Sequence, residues 1–324
     1  MIENLSRFGQ IDRGATDNVD IAVGKTLNGR VDVLFAIPNV RTKRNIDKHE
    51  EIMKQVFALA SLFLIMSCQA SQPPGQPKPE AVGLFEGIAA GKTQVVDLTH
   101  ALNPQNPYWP GPGYAPFTYE IFATLEKDGV LSGRFTMAEH TGTHLDAPNH
   151  FVTGQISVDK LPVQQLFVPA VVFDVRKKAA ENADYLLNPA DVTAWEQAHG
   201  RIPQNAVVMM YTGWDERWTD FDQYKNADKA GTLHFPGFSR ETAKLLAEER
   251  NIAGIGIDTL SVDYGMSKDF AVHHISHGNG KYHLENVANL GNLPATGASL
   301  VVAPIKIENG TGGPARVFAL VARP

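Results

Sequence analysis

The chain has 324 residues, 43% hydrophobic and 20% charged, with a net charge of −6. That is an ordinary globular composition, long enough for one large domain or two small ones. The acidic balance leaves no basic footprint for nucleic acid, the single cysteine (Cys68) excludes an internal disulfide, and no apolar run is long enough to span a membrane.

Residues 1–52 form a charged N-terminal extension. Met53-Lys54-Gln55 then leads into a mostly apolar run, Val56 to Met66, ending in Ser67-Cys68. A short basic start, a short apolar stretch and a small residue at the cut are the parts of a secretory signal. Ending in Cys, the 53–68 segment resembles a bacterial lipoprotein signal, which implies lipidation at Cys68. The expected location is then extracytoplasmic and membrane-anchored, or cytoplasmic if the signal is not used. Translation from Met53 would make residues 1–52 a start-site artefact; an uncleaved anchor with a cytoplasmic extension is the alternative. The 69–93 stretch opens rich in Pro and Gln (Pro73, Pro74, Pro77, Pro79; Gln69, Gln72, Gln76) and reads as a flexible tether.

A folded domain is expected over 94–324. Strand-like runs rich in Val, Ile or Ala fall at 94–99, 170–176, 206–211, 253–258, 299–307 and 315–322. Asn188-Pro189 caps a helix over 190–199 that Gly200 stops, and Ser239 caps another over 240–250. Several strands follow one another directly, so the pattern predicts an α/β or α+β domain with a mixed sheet.

Seven of the chain's 11 histidines fall in two windows: His140, His144 and His150, then His273, His274, His277 and His283. With Asp146 and Glu285 they are the ligand types that hold zinc or a similar divalent ion. The intervals between 140, 144, 146 and 150 are all even, so one strand face would carry all four side chains, but spread over about 33 Å. The segment must therefore curl, and Gly142 and Pro148 permit this. His140 and His144 sharing a helical face is the other geometry open to it. His49, His100, His199 and His234 read as structural or solvated. Asp258 and Asp263 read as shaping a loop near the site, and Tyr211-Thr-Gly-Trp214 as a pocket wall or a turn. Gly254-Ile-Gly256 lacks a third glycine for dinucleotide binding, and Asn309-Gly-Thr-Gly-Gly313 lacks the Lys-Ser/Thr of a phosphate loop.

His140-Thr-Gly-Thr-His144-Leu-Asp146-Ala-Pro-Asn-His150 resembles the signature of the bacterial cyclase family of metal-dependent hydrolases, which includes kynurenine formamidase and isatin hydrolase. Asn106-Pro-Tyr-Trp109-Pro-Gly, Gly256 to Asp263, Asn286-Val-Ala-Asn-Leu and the closing Gly-Gly-Pro-Ala-Arg-Val extend the resemblance over roughly 95–321. It implies a single α/β domain with a mixed sheet or barrel-like core and flanking helices, of the swivelling β/β/α type. It implies that His140, His144 and Asp146 bind a first metal, and that Asp146, His273 and Glu285 support a second. His150 becomes the general acid/base and Trp109 a substrate-binding residue. His274, His277 and His283 are extra candidates, because this window departs from the leucine run common in the family. Zinc is the expected ion, manganese the alternative, with one or two per subunit.

The expected reaction is hydrolysis of an amide-type C–N bond in a small aromatic molecule by metal-activated water, kynurenine formamidase-like first and isatin-type lactam or lactone opening second. The other class is a non-catalytic metal- or ligand-binding lipoprotein; a protein whose histidines only pack is a third. The expected partners are a small-molecule substrate, no nucleic acid, the membrane only through Cys68, and further copies of the chain in a homo-oligomer.

Overall fold

The computed structural model describes residues 83–323 and, as backbone, the strands β1 (Ile21–Lys25) and β2 (Val31–Phe35). β1 and β2 pair antiparallel as a unit by themselves. The signal segment 53–68, Cys68 and His49 lie outside the described residues. No described helix is long and apolar enough to cross a membrane.

The 81–324 unit opens with α1 (Leu84–Ala89). This helix lies inside the stretch read as tether, whose prolines all precede it. The Glu86 carboxylate accepts from the Gly83 backbone N–H and closes its first turn. There follow β3 (Thr93–Asp97), β4 (Thr118–Ala123), α2 (Leu125–Asp128), β5 (Ser132–Thr136), β6 (His144–Asp146), β7 (Phe167–Asp174) and α3 (Arg176–Glu181). Next are β8 (Leu186–Leu187), α4 (Pro189–His199), β9 (Val207–Tyr211), α5 (Phe221–Lys225), β10 (Gly237–Phe238) and α6 (Arg240–Lys244). The last are β11 (Gly254–Ile257), α7 (Ala271–Gly278), β12 (Tyr282–Glu285), β13 (Ala298–Pro304) and β14 (Gly312–Ala322). The six expected strands are present as β3, β7, β9, β11, β13 and β14. The helix expected over 240–250 is α-helical only to Lys244 and continues as a wider π turn over Leu245–Glu249.

The main sheet runs β13-β7-β9-β11-β12-β6-β14-β3, and pairing of β14 with β13 closes it into a barrel. β7, β9, β11 and β12 are parallel neighbours; β6, β13 and β14 join antiparallel. Strand parity builds two cores. Val207, Met209 and Val172 fill the barrel interior with Leu145, Leu284 and Val317. Val208, Met210, Val171 and Phe173 face outward, under Val192 and Trp195 of α4, Leu246 and Val272 of α7. Burial of both faces explains why β9 is a continuous apolar run.

Candidate metal centre and active site

The same parity makes the site. Leu145 of β6 and Leu284 of β12 point into the barrel, so their neighbours point to its outer face. The antiparallel register sets His283 opposite Asp146 and Glu285 opposite His144. Four ligand-type side chains thus form a two-by-two patch, since cross-strand partners have Cβ atoms only about 5 Å apart. α7 packs above it and supplies His273. The segment before β6 turns at Gly142, with φ of 70°, and its carbonyl comes back to His144 Nδ1 at 2.9 Å. After β6, Pro148–His150 forms a 3-10 turn that returns His150 to stack on His140 at 3.8 Å. Only His144 and Asp146 therefore share a strand; the helical arrangement of His140 and His144 is not found. Gly312 of β14 passes so close that a Cβ there would lie 2.4 Å from the Leu145 carbonyl and 2.6 Å from the His140 ring.

Asp146 sits at the centre. Its Oδ1 lies 2.6 Å from His140 Nδ1 and 3.1 Å from His144 Nε2. Its Oδ2 lies 3.3 Å from His273 Nε2 and 3.8 Å from His283 Nδ1. Glu285 divides likewise, with Oε2 3.4 Å from His144 Nε2 and Oε1 3.4 Å from His273 Nε2. Two overlapping groups of ligand atoms lie within 4.8 Å of one another: Asp146, His273, His283 and Glu285, and His140, Asp146 and His150.

In each of four rings, one nitrogen is occupied by a bond outward and the other faces the carboxylates. His144 Nδ1–H donates to the Gly142 carbonyl and His273 Nδ1–H to Asp263 Oδ2 at 2.7 Å. Thr311 Oγ1 donates to Glu139, so it accepts from His140 Nε2–H at 3.0 Å. Ser276 Oγ donates to the Val272 carbonyl, so it accepts from His283 Nε2–H. These assignments follow from the hydrogen-bond network. Metal-binding imidazoles are held this way, with the outer nitrogen fixed by a carboxylate, hydroxyl or carbonyl.

The charges agree. Burial works to raise Asp146, but His140 and His144 hold its carboxyl well below the usual range. Burial and Asp146 push Glu285 up, yet bonds from His144 and His273 bring it down to about 2. Burial works to lower His144, and Asp146 and Glu285 override it, raising the ring to about 10. Two buried carboxylates thus demand positive charge between them, and the donor set fits a divalent cation. His150 differs: burial is the chief cause that lowers it to about 4, so it is neutral at pH 7.

The cluster forms the floor of an open cleft holding about 540 Å³ of empty space out to its mouth. Trp109, Tyr114, Phe151, Phe270 and Leu260 line its walls, with Trp109 edge-on to Phe270 at 5.9 Å. His140, His144, Asp146, His150, His273, Glu285 and Trp109 therefore all meet in one place. His274 is exposed, edge-on to Phe151. His277 is buried behind the cluster, stacked on His283 at 4.0 Å, with both nitrogens unbonded among the described residues. Trp214 does not reach the cleft; it is buried, and its indole N–H donates to the Tyr224 carbonyl. Asp258 binds the Thr212 and Trp214 backbone, whereas Asp263 orients His273. His100 is half-buried and stacks on Trp218, and His234 pairs with Asp184. Sequence reasoning did not single out Tyr114, Phe270, Glu139 or Thr311; only the Asn309–Gly313 turn passed near one of them.

A family model described as "Putative cyclase" matches residues 96–264. Isatin hydrolase of Roseibium aggregatum is 37% identical over 256 residues, covering 74% of this chain and 97% of that one. Kynurenine formamidase of Bacillus mycoides is 30% identical over 231 residues, 69% of this chain and 96% of that one. The solved structure of isatin hydrolase A from Labrenzia aggregata, bound to benzyl benzoate, superposes with a TM-score of 0.71 at 41% identity, covering 74% and 98%. The chain belongs to the cyclase family of metal-dependent hydrolases.

Proposed function

We propose that this protein hydrolyses the amide C–N bond of a small, flat aromatic substrate, and that isatin-type lactam opening fits better than formamidase action. The observation that carries the reaction class is the convergence of His140, His144, Asp146, His273 and Glu285 at the floor of an aromatic cleft with neutral His150 beside them. The higher identity to isatin hydrolase than to kynurenine formamidase supports placing lactam opening first, and the formamidase reading expected from sequence is also consistent with the relatives.

His140, His144 and Asp146 hold one divalent ion, zinc ahead of manganese, and Asp146, His273 and Glu285 support a second. When bound, such an ion supplies Lewis acidity, bringing water's pKa towards neutrality and polarising a carbonyl oxygen. Trp109, with Phe151 and Phe270, stacks on the flat ring and keeps solvent from its faces. His150 accepts a proton from the attacking water at an unprotonated ring nitrogen and returns it to the amide nitrogen as the C–N bond breaks. Water is thereby added across the bond, with oxygen on the carbonyl carbon and hydrogen on nitrogen. The test compares turnover of isatin and N-formylkynurenine by zinc- and manganese-loaded protein. Faster isatin opening is expected; metal-loaded protein inert towards both would overturn the reading.

Two further properties are proposed. The β4–β5 hairpin exposes Tyr119, Ile121, Phe122, Leu131 and Phe135, which supports a homo-oligomer. Light scattering showing a clean monomer at micromolar concentration would contradict it. The Cys68 segment supports a lipid-anchored, extracytoplasmic enzyme. Mass spectrometry of the native N-terminus should find a lipidated Cys68, and an unmodified Cys68 inside a longer peptide would refute this.

A further inference from the structure

The register of β6 against β12 places His283, an extra candidate to which the family resemblance gives no ligand role, beside Asp146. It stands across from Asp146 as Glu285 stands across from His144. The ring is fully buried. Its Nε2–H is taken by Ser276 Oγ, whose own proton goes to the Val272 carbonyl. Nδ1 is left with a bare lone pair and no hydrogen-bond partner among the described residues. That lone pair faces an anionic oxygen, Asp146 Oδ2, at 3.8 Å. Two electron-rich atoms facing each other in a dry interior repel unless a positive centre lies between them.

The spacing identifies that centre. A tetrahedral ion with bonds of about 2.0–2.1 Å sets its ligand atoms about 3.3–3.4 Å apart. His273 Nε2 lies 3.3 Å from Asp146 Oδ2 and 3.4 Å from Glu285 Oε1. His283 Nδ1 belongs to the same group of four, all mutually within 4.8 Å. The carboxylates turn their other oxygens, Asp146 Oδ1 and Glu285 Oε2, towards His144. The cluster is therefore two-sided, with an outer half at His140 and His144 and an inner half at His273 and His283.

We propose that His283 is the fourth protein ligand of an inner metal position made by Asp146 Oδ2, His273 Nε2, His283 Nδ1 and Glu285 Oε1. Four protein ligands leave this position closed, as in structural sites, while the outer one keeps room for substrate and water. The inner ion is held permanently and neutralises the shared carboxylates; the outer one exchanges. This rests on reading the cluster as a metal centre.

The experiment loads the full chain with Zn2+, and with Mn2+ in parallel. It counts ions per chain by mass spectrometry, follows release to a chelator, and locates ions by anomalous diffraction. Two ions per chain are expected, one removed readily and one retained, with an anomalous peak bounded by His283 Nδ1. In His283→Ala, the retained ion should dissociate at about tenfold lower chelator concentration or less, while the readily removed ion is unchanged. One ion at saturation, bounded by His140, His144 and Asp146, overturns the inner position but leaves the metal-hydrolase reading intact. No bound ion at all overturns both. Ion number and position in the unsubstituted protein decide the matter even if the variant does not fold.

Discussion

The proton-shuttle role proposed for His150 and the bond from His273 to Asp263 are separable by single substitutions. His150→Ala should lower kcat by about 10²–10⁴-fold while the metal content stays unchanged, because a proton shuttle is lost and His140, His144, Asp146, His273 and Glu285 all remain. Unchanged turnover would favour the non-catalytic metal-binding alternative. Asp263→Asn removes the carboxylate that orients His273 through a 2.7 Å bond. Metal affinity should fall by about 10–100-fold, read by chelator competition. Asp258 tests a third matter, since its carboxylate accepts from the Thr212 and Trp214 backbone and from no residue of the metal cluster. Burial is the main cause that raises it to about 7, against bonds from Thr212 that pull it down. A carboxyl with a raised folded-state value keeps its proton when the unfolded chain has lost its own, so its contribution to stability declines as pH rises from about 4 through 7. Asp258→Asn should therefore gain stability relative to the unsubstituted protein over that window in denaturant titrations. A difference independent of pH would refute the assignment.

Among the elements, the joint between β6 and β14 is the most constrained. β14 pairs with β13 along one edge and with β6 and β3 along the other, so it closes the barrel and backs the metal floor. At Gly312 an added methyl would press on the Leu145 carbonyl and the His140 ring. Gly312→Ala should cost about 1–3 kcal/mol in stability and weaken metal binding together. A fully stable variant with normal affinity would show that the joint yields more easily than its geometry implies. The short strands β6 and β12 were not legible in the sequence. They span only His144–Asp146 and Tyr282–Glu285, and four of their seven residues are His, Asp or Glu in place of β-branched side chains. α7 escaped for a related reason, since its histidines and Ser276 interrupt the apolar periodicity.

For the molecule as a whole, the metal cluster is also a stability element. Asp146 of β6 and Glu285 of β12 are buried anions that both face His273 of α7, which lies 127 residues from Asp146 in sequence. Stripping the ions should lower Tm by several degrees, since a ligand at about 100 times its Kd contributes about 2.7 kcal/mol. Re-addition of the metal should restore it; a Tm indifferent to chelator would contradict the role.

The 140–150 window was readable because its chemistry is local: donor types, even spacing and a glycine that lets the chain turn all lie within one segment. The long apolar strands and the Asn188-Pro189 helix start were readable for the same reason, since propensity, caps and hydrophobic runs are short-range properties. The second window carried its ligand types openly, but which of its histidines face Asp146 was decided by the register of β6 on β12 and the placement of α7. Asp263 and Ser276 fix the tautomers of His273 and His283, and Thr311, its own proton taken by Glu139, fixes that of His140 from 171 residues away in sequence. The Thr311–His140 pairing comes from β14 being brought beside β6 by barrel closure, and no local pattern encodes it.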